Sequence, residues 1–86
     1  MGQDVKIRKK SYGDANLVGE NIERLRKARG WKQKDFIAQI QLAGCDMNPT
    51  SYSKLEGQLR IATDKELFVI AKLLGVPMEA LFPKNQ

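Results

Sequence analysis

Helix start and stop signals at short intervals are the feature that most limits what this chain can fold into. The run from Thr63 to Glu66 has the spacing of a capping box. In a capping box the first and last side chains each accept a hydrogen bond from a backbone N–H that has no helical partner. Asn48 followed by Pro49 marks another start, because proline at the first helical position loses no hydrogen bond. A glycine follows each of the first four segments and ends it. These signals predict five short helices and no strand: from after Asn16 to Arg29, from near Lys32 to Ala43, Pro49–Glu56, from Thr63 to Leu74, and Met78–Phe82.

Apolar residues recur at helical spacing within these segments, so each helix is expected to bury one face. A chain of 86 residues is long enough for one small domain with a single core. We therefore predict an all-α fold, a compact five-helix domain over 16–83, with a short C-terminal tail at 84–86. The predicted inward residues are Val18, Ile22, Leu25, Phe36, Ile37, Ile40, Tyr52, Leu55, Leu67, Ile70, Ala71 and Leu74.

The first fifteen residues lack apolar periodicity and are predicted to be a flexible basic tail, 1–15. Lys6, Arg8, Lys9 and Lys10 cluster there. One interpretation is a solvated, mobile arm, as is common at chain ends. The other is an arm that wraps DNA or enters a minor groove.

Charge and composition limit the possible partners. The net charge of +5 and the pI of about 9.6 favour a polyanion, either nucleic acid or an anionic membrane. There is no histidine and one cysteine, Cys45, which excludes a zinc finger and an internal disulfide, and we expect no metal and no other cofactor. No apolar run is long enough to cross a bilayer and no signal-peptide region begins the chain, so the expected compartment is the cytoplasm.

The third predicted helix has an outward polar face. Tyr52 and Leu55 share one side, while hydroxyls and an amine occupy the other. A helix whose N-terminal turn is exposed fits the major groove of duplex DNA, and flanking amide and basic groups reach phosphates. We therefore predict a DNA-binding surface formed by Lys32, Gln33, Asn48, Thr50, Ser51, Ser53, Lys54, Gln58 and Arg60.

Blocks of residues in a fixed order resemble one family. From about 17 to 82 the chain is similar to the Cro and phage-repressor type of helix-turn-helix domain, the XRE family. The resemblance implies a compact lambda-repressor-like domain that binds operator DNA, usually as a dimer, to regulate transcription. The matching blocks are Ile22-Glu23-Arg24-Leu25-Arg26, Gly30-Trp31-Lys32-Gln33, Ser51-Tyr52-Ser53-Lys54-Leu55-Glu56-Gly57-Gln58-Leu59-Arg60, Ile70-Ala71-Lys72-Leu73-Leu74-Gly75-Val76 and Leu81-Phe82.

The resemblance also implies an ion pair between Arg26 in the first helix and Glu56 at the end of the third, and both residues border apolar faces. Two features depart from the family pattern. The chain between Gln33 and Glu56 is longer by about one helical turn, centred on 41–47. Lys32 stands where the family usually has a serine or threonine cap, and lysine cannot accept from the free N–H groups.

The leading hypothesis is a sequence-specific transcriptional regulator, acting as a repressor, which inserts the helix Pro49–Glu56 into the major groove. Its expected partners are operator DNA and a second copy of the chain, because one helix reads only a few base pairs. The alternative is a module of the same fold that docks on another protein, such as a toxin. An enzyme is the weakest class, since no acid–base pair and no phosphate-binding glycine loop is present.

Overall fold

Four α-helices and one 3₁₀ helix build the domain. The structure, a computed structural model, describes residues 13–84, so most of the predicted tail and residues 85–86 lie outside the described part. The predicted order of helices and the all-α class are confirmed, and no strand occurs among the described residues. The elements are α1 Gly19–Ala28, α2 Gln33–Leu42, α3 Pro49–Glu56, α4 Asp64–Leu74 and a 3₁₀ helix over Met78–Leu81.

The predicted caps are present at α3 and α4. Asn48 Oδ1 accepts from the backbone N of Ser51 at 2.8 Å, and both hydrogen bonds of the capping box between Thr63 and Glu66 are formed. Gly75 ends α4 in the left-handed conformation, with φ of 71°. Such a cap satisfies carbonyls that the last turn leaves without partners.

Helix α1 begins later than predicted. Asn16 Oδ1 accepts from the backbone N of Val18 at 3.0 Å and of Gly19 at 2.9 Å, so the side chain caps a turn that precedes the helix. The helix itself starts at Gly19 and ends at Ala28. After α3 the left-handed residue is Gln58, with φ of 61°, rather than Gly57, with φ of −79°.

The core lies between all five elements and contains every predicted inward residue except Leu25, which is half-buried. Trp31 also packs against it, with its ring centroid 5.8 Å from that of Phe36. The buried apolar residues are Val18, Ile22, Phe36, Ile37, Ile40, Met47, Tyr52, Leu55, Leu67, Ile70, Ala71, Leu74 and Leu81.

The connection from α2 to α3 is the lengthened region. It runs over 43–48, and its hydrogen bonds to α2 include Gln41 Nε2 donating to Met47 O at 2.6 Å and Cys45 N donating to Ile40 O at 3.2 Å. Met47 is 2% exposed, so the connection contributes a side chain to the core. The extra residues thus form a packed turn rather than a loose loop.

Candidate nucleic-acid interface

Helix α3 presents a polar face to solvent and an apolar face to the core. Tyr52 and Leu55 are fully buried, whereas Thr50, Ser53 and Lys54 are exposed, as the sequence predicted. The three exposed residues, together with Pro49 and Leu59, line a shallow depression on the surface. Because Tyr52 and Leu55 anchor the helix in the core, its exposed face keeps one orientation relative to the domain.

The carboxylate of Glu56 is the centre of a buried polar cluster behind this face. It accepts from Arg26 through Nε at 2.6 Å and Nη2 at 3.2 Å, and from the hydroxyl of Tyr52. The remaining guanidinium nitrogen of Arg26, Nη1, donates to Trp31 O at 2.7 Å. Arg26 and Glu56 are 5% and 3% exposed, so the predicted ion pair is present and buried.

Burial and the Glu56 charge act together on the neighbouring pKa values. Burial lowers the pKa of Arg26, but the hydrogen bond to Glu56 and the neighbouring negative charges, Glu56 first, together outweigh it, and the net pKa is raised. Burial, followed by the charge of Glu56, raises the pKa of Tyr52 well above its ordinary value. Both groups are therefore held in their protonated form, which is the form that donates to the carboxylate.

Gln33 joins the first turn of α2 to this cluster. Its Nε2 donates to Glu56 Oε1 at 3.0 Å, and its Oε1 accepts from Ser53 Oγ at 3.2 Å. The amide therefore lies between the buried cluster and an exposed hydroxyl of α3. This arrangement fixes the N-terminus of α2 relative to the exposed face of α3.

A family model described as helix-turn-helix matches residues 22–81, more than half of the chain. The chain belongs to the Cro and phage-repressor type of helix-turn-helix family. No curated protein and no solved structure matches it in the corresponding comparisons. Members of this family are DNA-binding domains, so residues 22–81, which include the helix pair α2 and α3, form a DNA-binding helix-turn-helix domain.

Arg60, predicted to contact phosphate, is used inside the helix-turn-helix domain. Its guanidinium makes five hydrogen bonds, one for each N–H donor that arginine has. The phosphate contact stays a prediction, and it would require some of these bonds to break. The bonds run from Nε to Ser51 O at 2.9 Å, from Nη1 to Ile61 O at 2.8 Å and Glu66 Oε1 at 2.9 Å, and from Nη2 to Glu66 Oε2 at 3.1 Å and Met47 Sδ at 3.4 Å.

Arg60 connects the first turn of α3, through Ser51 O, to the first turn of α4, through the carboxylate of Glu66. Burial opposes ionisation of Glu66, but the hydrogen bonds with Arg60 and Thr63 and the charge of Arg60 together outweigh it, and the pKa of Glu66 is lowered. Sequence reasoning did not find this pair, because Glu66 was already explained by its capping role. Arg60 lies before α4 and Glu66 lies within it, so the pair has no fixed helical spacing that could have predicted it.

The other predicted contact residues lie at the edges of the helix pair. Lys32 is exposed and precedes α2 without a side-chain cap, as expected for lysine. Asn48 is exposed and Ser51 is half-buried at the start of α3. Gln58 binds the segment before α1, because its Nε2 donates to Asn16 O at 2.8 Å.

An open apolar cleft lies beside the helix pair, between the α2–α3 connection and α4. Its lining includes Cys45, Phe68, Val69 and Met78. Burial, together with the nearby Glu66 and Asp46, raises the pKa of the Cys45 thiol, which favours the unreactive form.

Residues 13–84 contain neither a metal-binding group of side chains nor a membrane-spanning helix. No group of three or more histidine, cysteine, aspartate or glutamate side chains is placed to hold a metal ion. No helix there has the length and apolar character needed to span a bilayer.

Proposed function

We propose that this protein is a sequence-specific DNA-binding transcriptional regulator that acts as a repressor in the cytoplasm and inserts α3 into the major groove. The observation that carries the proposal is the exposed polar face of α3, backed by the buried cluster around Glu56. A major groove admits an α-helix, and hydroxyl and amine groups on that helix bind base edges. A helix fixed from behind binds with little loss of conformational freedom.

The contacts divide into two kinds. Thr50, Ser53 and Lys54 point from the exposed face and are proposed to read bases, with Asn48 and Ser51 at the N-terminal end of the same helix. Lys32, at the start of α2, is proposed to contact the sugar-phosphate backbone, where basic and amide groups fix the register of the protein on DNA. Gln33 beside it is proposed to do so through the second N–H of its amide, because the first binds Glu56.

Arg60 and Gln58 have a different part in this proposal. Their side chains bind other parts of the domain, so we assign them to positioning rather than to direct contact. Arg60 holds the first turn of α3 and Gln58 holds the segment before α1. Both affect DNA binding through the placement of α3.

We propose further that the chain binds as a homodimer, with half-sites about 34 Å apart. The apolar cleft favours this, because Phe68 is 58% exposed at its edge while Asp46, Asp64 and Lys65 place both signs of charge around it. A two-fold interface needs such self-complementarity, since each surface meets its own copy. Sedimentation velocity tests it: Phe68→Ser should convert dimer to monomer, and a wild-type chain that is monomeric both free and on DNA would contradict it.

The alternative, a docking module of the antitoxin kind, rests on the same cleft. In that case a different protein covers Phe68, and the wild-type chain alone is a monomer. The Phe68→Ser variant then loses the partner but keeps DNA binding.

The deciding experiment is selection of bound sites from a pool of random DNA duplexes. A regulator enriches one sequence, and a dimer enriches two inverted half-sites. Enrichment of no sequence above the starting pool would exclude the base-reading function of α3.

A further inference from the structure

The hydrogen bond between Ser53 on the exposed face of α3 and Gln33 at the start of α2 has a direction that chemistry fixes. Glu56 is the anion of a buried ion pair with Arg26, so its carboxylate accepts hydrogen bonds and cannot donate one. Gln33 must therefore turn its NH₂ group towards Glu56, and Nε2 lies 3.0 Å from Oε1 of the carboxylate. The oxygen of the same amide is then directed to Ser53.

An amide oxygen carries no proton, so the proton between Gln33 and Ser53 must come from the serine. Ser53 Oγ donates to Gln33 Oε1 at 3.2 Å. A serine hydroxyl has one proton and two lone pairs. With its proton directed to Gln33, the hydroxyl offers only lone pairs to a molecule that approaches from solvent.

Ser53 lies where such a molecule would meet it. The residue is exposed and lines the shallow depression of the α3 face together with Thr50 and Lys54. Lys54 follows it directly in the chain and carries donors only, since an ammonium group cannot accept a hydrogen bond. The face therefore presents an acceptor at Ser53 beside a donor at Lys54.

The base edges in the major groove differ in the same property. Adenine presents an amine at N6 and cytosine presents one at N4, and both amines donate. Guanine O6 and thymine O4 occupy the corresponding places and accept. A hydroxyl that can only accept therefore bonds to adenine or cytosine, whereas at guanine or thymine two acceptors would face each other.

We propose that Ser53 reads one base of the bound site as an acceptor and selects adenine or cytosine over guanine or thymine, and that Gln33 sets this selectivity by holding the serine proton. This inference rests on the proposed function and deepens it, because it names the bases that one side chain of α3 accepts. Gln33 is a positioning residue here, since it acts on the base through Ser53. The buried cluster around Glu56 thus affects sequence preference as well as the placement of α3.

The test measures a ratio of dissociation constants on two duplexes. The first is the site that the wild-type chain selects from random DNA. The second differs from it at one position, where hypoxanthine replaces adenine, paired with cytosine, or uracil replaces cytosine, paired with adenine. Each exchange turns the amine into a keto oxygen and leaves the contacted base without a methyl group. Every adenine and cytosine of one half-site is exchanged in turn, and fluorescence anisotropy gives the constants.

At one position the wild-type chain should bind the keto duplex about tenfold more weakly, within the range for a single mismatched base pair. Ser53→Ala removes the hydroxyl and Gln33→Leu frees its proton, so both variants should bring this ratio close to one. Losing a phosphate contact of Gln33 weakens both duplexes alike and leaves the ratio unchanged. Gln33→Met, of nearly the same shape, replaces Gln33→Leu if that variant does not fold.

The matched control is Gln39→Leu, which removes a half-buried glutamine later in the same helix. It should keep the wild-type ratio at every position. A Gln39→Leu chain that loses the ratio as fully as Gln33→Leu would show a general effect of altering α2, and the role of Gln33 would be wrong.

Three further results would overturn the proposal. If no position of the selected site has a ratio that Ser53→Ala abolishes, Ser53 does not read a base as an acceptor. If Ser53→Ala abolishes a selection for guanine or thymine, the hydroxyl donates instead. If the ratio is lost in Ser53→Ala but kept in Gln33→Leu, the serine reads its base without Gln33.

These results are distinguishable from failure of the proposed function. In each of them the wild-type chain still selects a DNA site, so the regulator stands and only the role of Ser53 or Gln33 is wrong. A wild-type chain that enriches no sequence would contradict the proposed function, and this inference would fail with it.

Discussion

Arg26 of α1 and Glu56 of α3 form an ion pair with an Nε–Oε2 distance of 2.6 Å, and both side chains are nearly inaccessible to solvent. The pair joins the first helix to the end of α3, the helix proposed to read DNA. Burying two charges costs free energy, and additional hydrogen bonds offset that cost. Tyr52 and Gln33 donate to Glu56, and Arg26 donates to the carbonyl of Trp31. The main effect of the cluster is therefore to fix the position of α3. It adds little to the stability that well-packed apolar residues at the same positions would give.

Replacing one partner of this pair should be strongly destabilising. Glu56→Gln leaves the Arg26 charge buried without an anion, and we expect a loss of about 3–5 kcal/mol in the free energy of unfolding. Equilibrium denaturation in urea measures it. The matched control is Glu23→Gln, which removes the surface pair with Lys27 and should cost under about 1 kcal/mol. Similar losses in both variants would mean that the buried pair is worth no more than a surface one.

The Arg60–Glu66 pair should make stability depend on acid pH. The pKa of Glu66 is lower in the folded domain, so its carboxylate adds stability above its ordinary pKa, which is lost as pH falls through the folded value. Glu66→Gln should lower the free energy of unfolding by about 1.5–3 kcal/mol at pH 7, the contribution of hydrogen bonds to a charged group. Urea denaturation at several pH values should show the wild-type advantage shrinking below about pH 4. A difference that stays constant down to pH 2 would contradict the ionised pair.

Removing the amine of Lys54 should weaken binding to the selected site more than binding to random DNA. Lys54→Ala is expected to cost about 1–3 kcal/mol on the selected site, because a base contact is lost there. Lys27→Ala, an exposed lysine at the end of α1, provides the control and should leave the ratio of specific to random affinity unchanged. Anisotropy titrations on both duplexes measure the ratio. Equal losses for Lys54→Ala on the two duplexes would show a phosphate contact instead.

A methyl group at Gly19 should disturb the packing of α1 on α3. A Cβ there would lie 2.5 Å from the carbonyl oxygens of both Leu55 and Glu56, and these are backbone atoms that cannot rotate away. We expect Gly19→Ala to cost about 1–3 kcal/mol, even though alanine favours helices. Glu20→Ala, one residue along and exposed, is the control and should leave the thermal unfolding midpoint within a few degrees of wild type. A Gly19→Ala domain as stable as wild type would show that the two helices can separate without loss.

The helices and their inward faces were predictable because their causes are local. The cap at Asn48, the capping box from Thr63 to Glu66 and the apolar spacing of α4 act between residues three or four apart. The start of α1 was placed too early, since Asn16 caps a turn rather than the helix itself. The exposed positions of Thr50 and Lys54 followed from the same periodicity.

What the sequence by itself determined is the helix order, the buried faces and the presence of a basic segment, all of which depend on near neighbours or composition. Only the tertiary structure decided where Arg60 and Asn16 direct their donors. Asn16 bonds to Leu55, 39 residues away, and Arg60 bonds both to Ser51 in α3 and to Glu66 in α4. Hydrogen-bond partners distant along the chain are chosen by how the helices pack together, and no local pattern records that choice.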